Sequence, residues 1–191
     1  MIKKSPLTGR KIIVTRAREQ AADLTNRLLR LGAEVTEAPT IEVRPTDPSE
    51  IDRAIGQLDR YDWIFFTSSN GVKFFFDRLR AAEGDPGSLP SVCTIGPATA
   101  REVTQAGGRV ELQPELYQAE GVIEEFTRLY RGGLSGLRIL IPRARIAREI
   151  LPESLKMSGA RVDVIPVYET VAPEESGALI QEVLRDGNFD L

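Results

Sequence analysis

The sequence contains no histidine and only one cysteine, Cys93. The absence of histidine excludes His-based catalytic triads and imidazole general bases, and it removes the commonest metal ligand. A single thiol cannot form an internal disulfide, and it leaves no conventional zinc or iron–sulfur ligand set. Any chemistry must therefore use hydroxyls, carboxylates, arginines, lysines, tyrosines and backbone amides, and we expect neither a metal nor a cofactor.

The chain also lacks an excess of positive charge and any long apolar run. Its net charge of −3 argues against a general nucleic-acid binder, but it leaves room for a local basic pocket that takes an acidic small molecule. No stretch approaches the roughly 20 apolar residues that span a bilayer, and no apolar run of a secretory signal follows the charged residues 1–6. We therefore expect a cytoplasmic protein without nucleic-acid or membrane partners.

An internal repeat is present instead. The segment Ile12–Arg18 resembles Ile139–Arg145 at an offset of 127 residues, and the alignment continues without a gap to Pro39 and Pro166. The identical pairs include Arg16/Arg143, Ala17/Ala144, Arg18/Arg145, Leu24/Leu151, Leu28/Leu155, Gly32/Gly159, Ala33/Ala160 and Val35/Val162. Each copy predicts a strand, a helix, a Gly-Ala turn that ends the helix, and a second extended run.

Between the two copies the sequence alternates strands and helices. The predicted strands are Asp62–Thr67, Ser91–Gly96 and, more weakly, Arg109–Leu112; the predicted helices are Ser49–Leu58, Asn70–Ala82, Ala98–Ala106 and Glu120–Tyr130. Alternation of this kind is typical of an α/β fold, with a parallel sheet covered by helices on both faces.

Two proline-containing runs, near 38–45 and 164–172, do not resemble central strands, because proline disfavours that position. We interpret both as strands that connect two domains. The middle domain, 40–172, is then complete, and the other domain is discontinuous, built from 1–39 and 173–191.

The discontinuous domain is predicted to be incomplete. A helix over Glu175–Leu184 leads to Phe189–Leu191, as Ser49–Leu58 leads to Tyr61–Trp63 in the first copy, so the chain ends where the next strand is expected. The alternative is a small domain that a partner chain completes.

Four groups of residues at predicted strand ends are candidates for ligand binding, because loops and helix N-termini converge at the carboxyl edge of a parallel sheet. Two of these groups open helices, where backbone amides suit carboxylates: Ser68, Ser69, Asn70 and Gly71, and then Gly96, Pro97, Ala98 and Thr99. Helix capping or a tight turn alone would also explain both groups.

The other candidates are side chains in the repeated copies. Thr15 and Arg16 follow the first strand and Arg143 lies at the corresponding place in the second copy, where guanidinium groups suit carboxylates. Each arginine could equally be a solvated surface residue. Tyr168, in the second proline-containing run, either packs there or presents its hydroxyl to a cleft between the domains.

The ordered set of these segments resembles the uroporphyrinogen-III synthase family over about residues 9–171. The segments are Val14–Arg16, Phe66–Val72, Ile95–Ala100, Arg148–Pro152, Gly159-Ala160 and Val167–Thr170. No single motif is specific, whereas the ordered set with two copies is.

The resemblance implies two flavodoxin-like parallel-sheet domains joined by a two-stranded linker, with the active site between them. It implies a substrate, hydroxymethylbilane, that carries eight carboxylates, and cyclisation with loss of water and inversion of ring D. Tyr168 matches the tyrosine proposed to assist departure of the hydroxyl group. Ser68, Ser69 and Thr99 match hydroxyl positions, and the amides of Asn70, Gly71, Ala98 and Thr99 would hold substrate carboxylates, with Arg16 and Arg143 as weaker candidates.

Further expectations follow from this resemblance. Family members have a second Thr-Ser loop and a second Gly-x-x-Thr turn beyond the position of Leu191, so we expect little or no activity from these 191 residues alone. The preceding or following enzyme of the pathway is a candidate partner. Two other classes remain open: a non-catalytic, hinged ligand-binding module, and a response-regulator-like domain, whose acidic cluster is missing.

Overall fold

The computed structural model describes residues 5–173, 177, 180–182, 185 and 189–190. Contacts within the chain divide it into two units. The first unit is Met1–Arg44 with Thr170–Leu191, and the second is Pro45–Glu169. Helices among the described residues are all too short or too polar to cross a lipid bilayer.

The first unit is built on strand β1 (Lys11–Val14), helix α1 (Arg18–Arg30) and strand β2 (Glu34–Glu37), with the two strands parallel. Asp190 lies beside β1: its backbone N–H donates to the carbonyl of Lys11 at 2.7 Å, and its carboxylate accepts from the Lys11 N–H at 2.8 Å. That amide and the neighbouring Arg10 guanidinium hold the pKa of the Asp190 carboxyl below its usual range. The described part of the C-terminal segment therefore belongs to this unit.

The second unit contains most of the regular structure. After β3 (Glu42–Pro45), at the boundary between the units, come α2 (Ser49–Ile55), β4 (Trp63–Phe66), α3 (Ser69–Ala81), β5 (Ser91–Thr94), α4 (Pro97–Gln105), α5 (Ala119–Leu129), β6 (Arg138–Ala144), α6 (Ile150–Met157) and β7 (Arg161–Val171). The strand order is β3-β7-β6-β4-β5, and the pairs β4–β5, β4–β6 and β6–β7 are parallel. β4 is apolar and buried along its whole length, as a strand covered on both faces must be.

Alternate residues of β4 supply two separate cores, because successive strand side chains point to opposite faces. Trp63 and Phe65 pack with α5 and α6, and the ring centroids of Trp63 and Phe126 lie 5.1 Å apart in an edge-to-face contact. Phe66 packs against Phe75 of α3 on the opposite face, at 5.3 Å. The sheet is thus fixed between helices on both sides, which positions the loops at its carboxyl edge.

Two secondary-structure elements of the second unit differ from the sequence-based prediction. The weak strand at Arg109–Leu112 is reduced to an isolated bridge between Leu112 and Cys93. The N–H groups of Glu111 and Leu112 both donate to the Val92 carbonyl, and this irregular pattern does not continue toward Arg109 as a strand ladder. The helix predicted over Ser49–Leu58 ends at Ile55, and a short 3-10 turn follows it.

The run near 164–172 forms the second half of β7, which lies between β6 and β3. The boundaries between the two units fall within this run and within the run near 38–45, in agreement with strands that connect two domains. Only the expectation that proline excludes the run near 164–172 from a central position is wrong. The register shifts between Arg143 and Ala144, so that Arg143 faces Pro166 and Ala144 faces Tyr168. A bulge of this kind admits a proline that an unbroken ladder would exclude.

The helix predicted over Glu175–Leu184 lies mostly outside the described residues, of which Gly177 and 180–182 are helical. The position of Leu191 also lies outside them.

Candidate functional site

The carboxyl edge of the sheet in the second unit brings together the ends of four strands. β4 and β5 run in register, with Phe66 opposite Thr94, and the Ile95 N–H donates to the Phe66 carbonyl at 3.2 Å. The turns that begin at Thr67 and at Ile95 therefore lie side by side. The ends of β6 and β7 continue the same edge on the other side of β4.

Tyr168 is held from two directions at this edge. It is only 8% exposed, and its ring stacks on Phe74 with centroids 5.7 Å apart and planes 18° from parallel. Its hydroxyl lies 3.0 Å from the Ser68 hydroxyl. Sequence analysis left packing and a functional hydroxyl as alternatives for Tyr168, and the structure combines a packed ring with a directed hydroxyl.

Ser68 begins α3 as its N-cap. Its backbone is extended, and its Oγ accepts a hydrogen bond from the Gly71 N–H at 3.1 Å. The Gly71 N–H is therefore already hydrogen-bonded within the protein. Sequence analysis had predicted that this N–H would bind a substrate carboxylate. Ser69 and Asn70 precede Gly71 in the first turn of the same helix.

Gly71 also allows α3 to approach β6 closely. A Cβ atom at this position would lie 2.9 Å from the backbone carbonyl oxygen of Pro142. Since that oxygen belongs to the sheet and cannot move aside, a side chain at position 71 would push the start of α3 away from β6. The contact between Ser68 and Tyr168 depends on this approach.

The second predicted turn, after β5, opens α4. Gly96 is the N-cap with an extended backbone, no side chain caps the helix, and Pro97 takes its first position. Pro97 and Ala98 are exposed, whereas Thr99 is only 6% exposed. The uncapped backbone amides of this turn remain suited to an anion, while the Thr99 hydroxyl is largely covered.

Arg143, at the end of β6, is 7% exposed, which excludes the solvated-surface alternative. Its Nη1 donates to the Arg148 carbonyl at 2.8 Å, and its Nη2 donates to the Glu149 carboxylate. Its buried Nε–H has no hydrogen-bond partner among the described residues. Arg143 thus holds the loop that leads from β6 to α6.

Thr15 and Arg16 belong to the first unit and are exposed after β1. The Thr15 carbonyl accepts from both the N–H and the hydroxyl of Thr40, each at 3.0 Å. These bonds fix the backbone of the turn.

A cavity of about 580 Å³ opens at the carboxyl edge of β4, β5 and β6. Sequence analysis did not assign several of the residues that line it, among them Tyr117, Gln118, Ala119, Ala147, Arg148 and Ile150. The sequence does show an aromatic residue, Tyr117, two residues before α5, but it could not place that residue beside β6.

The described residues offer little other reactive chemistry. Among them, no group of three or more Cys, Asp or Glu side chains is placed to hold a metal ion. Burial and the nearby Glu125 carboxylate raise the pKa of the Cys93 thiol, so the thiol stays protonated and unreactive. The hydroxyls, arginines and helix N-termini at the sheet edge are therefore the groups available for function.

Comparisons with known proteins identify relatives of this chain. A putative uroporphyrinogen-III synthase of Methanothermobacter thermautotrophicus is 33% identical over 177 residues, which cover 93% of this chain and 68% of the relative. A uroporphyrinogen-III synthase of Synechococcus elongatus is 32% identical over 195 residues, covering 98% and 71%.

The fold has solved counterparts as well. A crystal structure of a mutant uroporphyrinogen III synthase from the extremely thermophilic bacterium Thermus thermophilus superposes with a TM-score of 0.68 over 95% of this chain and 70% of that one, at 16% identity. The parallel α/β architecture is therefore that of solved uroporphyrinogen III synthases.

The family model described as uroporphyrinogen-III synthase HemD matches residues 22–191. The chain belongs to the uroporphyrinogen-III synthase family.

Proposed function

We propose that this protein cyclises hydroxymethylbilane to uroporphyrinogen III, with loss of water and inversion of ring D. The observation that carries the assignment to this site is the hydrogen bond of 3.0 Å between Tyr168 and Ser68 at the carboxyl edge of the sheet. This bond orients a phenol beside the N-terminus of α3, in a chain without histidine.

The hydrogen bonds of Ser68 suit the phenol to act as a proton donor. The Ser68 oxygen already accepts from the Gly71 N–H, and its own proton can be donated to the Tyr168 oxygen. The proton of Tyr168 is then free for an oxygen of the substrate. Stacking on Phe74 limits rotation of the ring, so the phenol is oriented before the substrate arrives.

The proposed reaction balances without a cofactor. The C–O bond of the hydroxymethyl group breaks, and the oxygen takes the phenol proton and leaves as water. The pyrrole nitrogen stabilises the resulting cation, which the substituted carbon of ring D attacks to form a spiro intermediate. That intermediate fragments and closes with ring D inverted, and the proton released as the last ring regains aromaticity balances the proton donated at the start.

The remaining groups bind and orient the substrate. The uncapped amides at the start of α4 and the amides of Ser69 and Asn70 suit the carboxylates of the substrate. Thr15, Arg16 and Arg143 supply further candidate donors. Because the uncatalysed bilane closes without inversion, holding both ends of the substrate is the main task of the site.

The proposal extends to the cellular location of the enzyme and to its partner enzymes. We place the enzyme in the cytoplasm, where the preceding or following enzyme of the pathway could deliver the bilane or receive the macrocycle.

The test supplies hydroxymethylbilane to the full gene product and separates the type I and type III isomers by chromatography. We expect the type III fraction to rise well above that of an enzyme-free reaction. A parallel assay of the 191 residues alone tests the low activity expected from the sequence. If the full gene product binds the bilane but yields only type I, the protein is a binding module and the proposed reaction is refuted.

A further inference from the structure

We propose that a groove beside the amino-terminal half of β7 is a second small-molecule site, which takes a zwitterion of the α-amino-acid type. The groove has a volume of about 330 Å³, and residues of α2 and Val162–Ile165 of β7 line it. Tyr168 lies five residues beyond Asp163 in the same strand, a separation of roughly 16 Å in an extended chain. The groove is therefore distinct from the Tyr168–Ser68 pair, and binding there does not require the proposed reaction.

The groove borders a free backbone edge of β7. The side chains of Val162–Ile165 point alternately to opposite faces of the sheet, yet all four residues line the groove, so the strand backbone must line it too. Strand β3 covers the same edge only further along, where the Thr46 hydroxyl donates to the Pro166 carbonyl at 2.6 Å. Pro45 and Glu169 both lie at the boundary of this unit, so β3 approaches from the carboxyl end of β7 and stops near Pro166. The peptide groups before Pro166 are therefore open to a ligand on this side.

The groove is short, which favours a small ligand over a peptide strand. The Thr46 contact closes it at one end, and the side chains of Tyr61 and Arg138 lie at the other. The extended chain from Val162 to Ile165 spans about 10 Å, whereas strands in sheets usually contain five or six residues. A single α-amino acid fits this length and carries an ammonium and a carboxylate group within it.

Asp163 supplies an acceptor for the ammonium group. All three hydrogen bonds to its carboxylate end on Oδ2: from the Tyr61 hydroxyl at 2.8 Å, and from Nε and Nη2 of Arg138 at 3.1 Å and 2.8 Å. Its Oδ1 accepts from none of the residues that the structure describes. Burial, followed by the Asp163 carboxylate, raises the pKa of Tyr61 to about 12, so the phenol keeps its proton and its bond to Oδ2. The carboxylate is therefore oriented before a ligand arrives, and Oδ1 is available to it.

Helix α2 supplies two further charges. Glu50 and Arg53 are three residues apart, so they share a face of the helix, and both are exposed and line the groove. Within the described part of the chain, neither side chain forms a hydrogen bond or an ion pair. Arg53 can accordingly bind the carboxylate of the ligand, while Glu50 joins Asp163 at the ammonium group.

The charge balance of the groove selects a zwitterion over a simple ion. The charged residues that line it are Glu50, Asp163, Arg53 and Arg138, two of each sign. A lone anion would meet two carboxylates and a lone cation would meet two guanidinium groups, whereas a ligand with both charges can pair each with its opposite. Ala54 and Ile165 add apolar surface to the groove, which suits an aliphatic side chain.

The experiment measures binding of L-leucine to the full gene product by NMR titration. Leucinamide, which keeps only the ammonium group, and isocaproate, which keeps only the carboxylate, are the matched ligands. We expect a Kd of about 1 mM for leucine and at least about 10-fold weaker binding of either analogue. The amide signals of Val162–Ile165 should shift on binding, and those of Ser68 and Gly71 should not.

Charge variants on α2 have matched controls elsewhere. Glu50→Gln and Arg53→Gln should each weaken leucine binding about 5-fold or more. Glu153→Gln, on α6, and Arg131→Gln, at a turn, should leave it unchanged. Arg53→Gln should also narrow the difference between leucine and leucinamide, because it removes the partner of the carboxylate. All four residues are exposed, so these variants should fold like the original protein.

Equal binding of leucine and leucinamide would show a cation site, and equal binding of leucine and isocaproate would show an anion site; either result would refute the proposal. A titration without saturable shifts at Val162–Ile165, or one that Glu50→Gln and Arg53→Gln leave unchanged, would overturn it as well. None of these measurements needs turnover, so their outcome is separate from that of the isomer assay.

Discussion

The two copies of the repeat share their backbone pairing but not their burial. In the first unit, Lys11 pairs with Glu34; in the second, Arg138 pairs with Arg161, which is the same register at the offset of 127 residues. Leu24 is 37% exposed, however, whereas its counterpart Leu151 is 3% exposed. The repeated pattern therefore encodes strand, helix and register, and neighbouring elements decide what becomes core.

The arginines show the same contrast. Arg16 is exposed after β1, whereas Arg143 is buried after β6 and holds the following loop through Arg148 and Glu149. β6 lies between β7 and β4, while β1 has only β2 as a partner among the described strands. A functional group at equivalent positions thus acquires different chemistry from its surroundings.

The largest expected difference concerns the equivalent leucines. Leu151→Ala should cost about 2–5 kcal/mol because it leaves a cavity in a packed core. Leu24→Ala should cost less than about 1 kcal/mol, since water already reaches that side chain. Native-state hydrogen exchange of the β1 and β6 amides measures both effects, and equal losses would show that the copies are packed alike.

Tyr168 has only Ile41 as its counterpart in the first copy, so the proposed proton donor exists once. Tyr168→Phe keeps the ring stack but removes the hydroxyl, and we expect kcat for the type III isomer to fall about 10- to 100-fold, within the range of general acid catalysis or slightly below it. Tyr61→Phe, which removes a hydroxyl bonded to Asp163, is the matched control and should leave kcat unchanged. An undiminished type III rate in Tyr168→Phe would remove the role of this phenol.

The turns that end the two repeated helices should behave alike, in contrast to the leucines. Gly32 and Gly159 have φ values of +89° and +101°, a region that side chains other than glycine disfavour. Gly32→Ala and Gly159→Ala should therefore each cost about 1–2 kcal/mol. Urea unfolding followed by circular dichroism tests this, and a loss confined to one of the two variants would mean that local contacts, rather than backbone conformation, set the cost.

The smallest effect concerns pH. Burial alone would raise the pKa of the Asp163 carboxyl, but hydrogen bonds from Arg138 and Tyr61 outweigh it and lower this pKa below its usual range. Because the folded carboxyl holds its proton less tightly than the unfolded one, its stabilising contribution is present above the unfolded pKa and is lost as pH falls through the folded value.

The equivalent residue in the first copy is Thr36, which carries no charge. Asp163→Asn should accordingly be less stable than the original protein at pH 7, and the difference should shrink toward pH 3. Urea midpoints from Trp63 fluorescence, which reports on the second unit, measure this change. A difference independent of pH would assign the contribution to packing.

Most strands and helices of the second unit could be predicted because their signals are local. The apolar run at β4 and the glycine and proline at the start of α4 mark boundaries without reference to the rest of the chain. The long β7 could not be predicted, since whether Pro166 fits a sheet depends on a bulge opposite Arg143. Likewise, the strand at Arg109–Leu112 had the right composition but too few partners.

The candidate site could also be predicted only in part: its individual residues could be, but their contacts could not. Ser68 and Tyr168 emerged from sequence as separate candidates, but the hydrogen bond between them joins positions 100 residues apart and required coordinates. The burial of Arg143 and the cavity beside Tyr117 depend in the same way on how α5 and α6 cover the sheet.

A Cβ atom added to Gly71 would lie 2.9 Å from the Pro142 carbonyl oxygen in the sheet. Gly71 itself has no reactive side chain. A single added carbon there would separate the helix from the strand before any hydroxyl, arginine or phenol had changed. Damage to this protein can therefore begin at a residue that performs no chemistry, and a survey of inactivating substitutions limited to reactive side chains would overlook it.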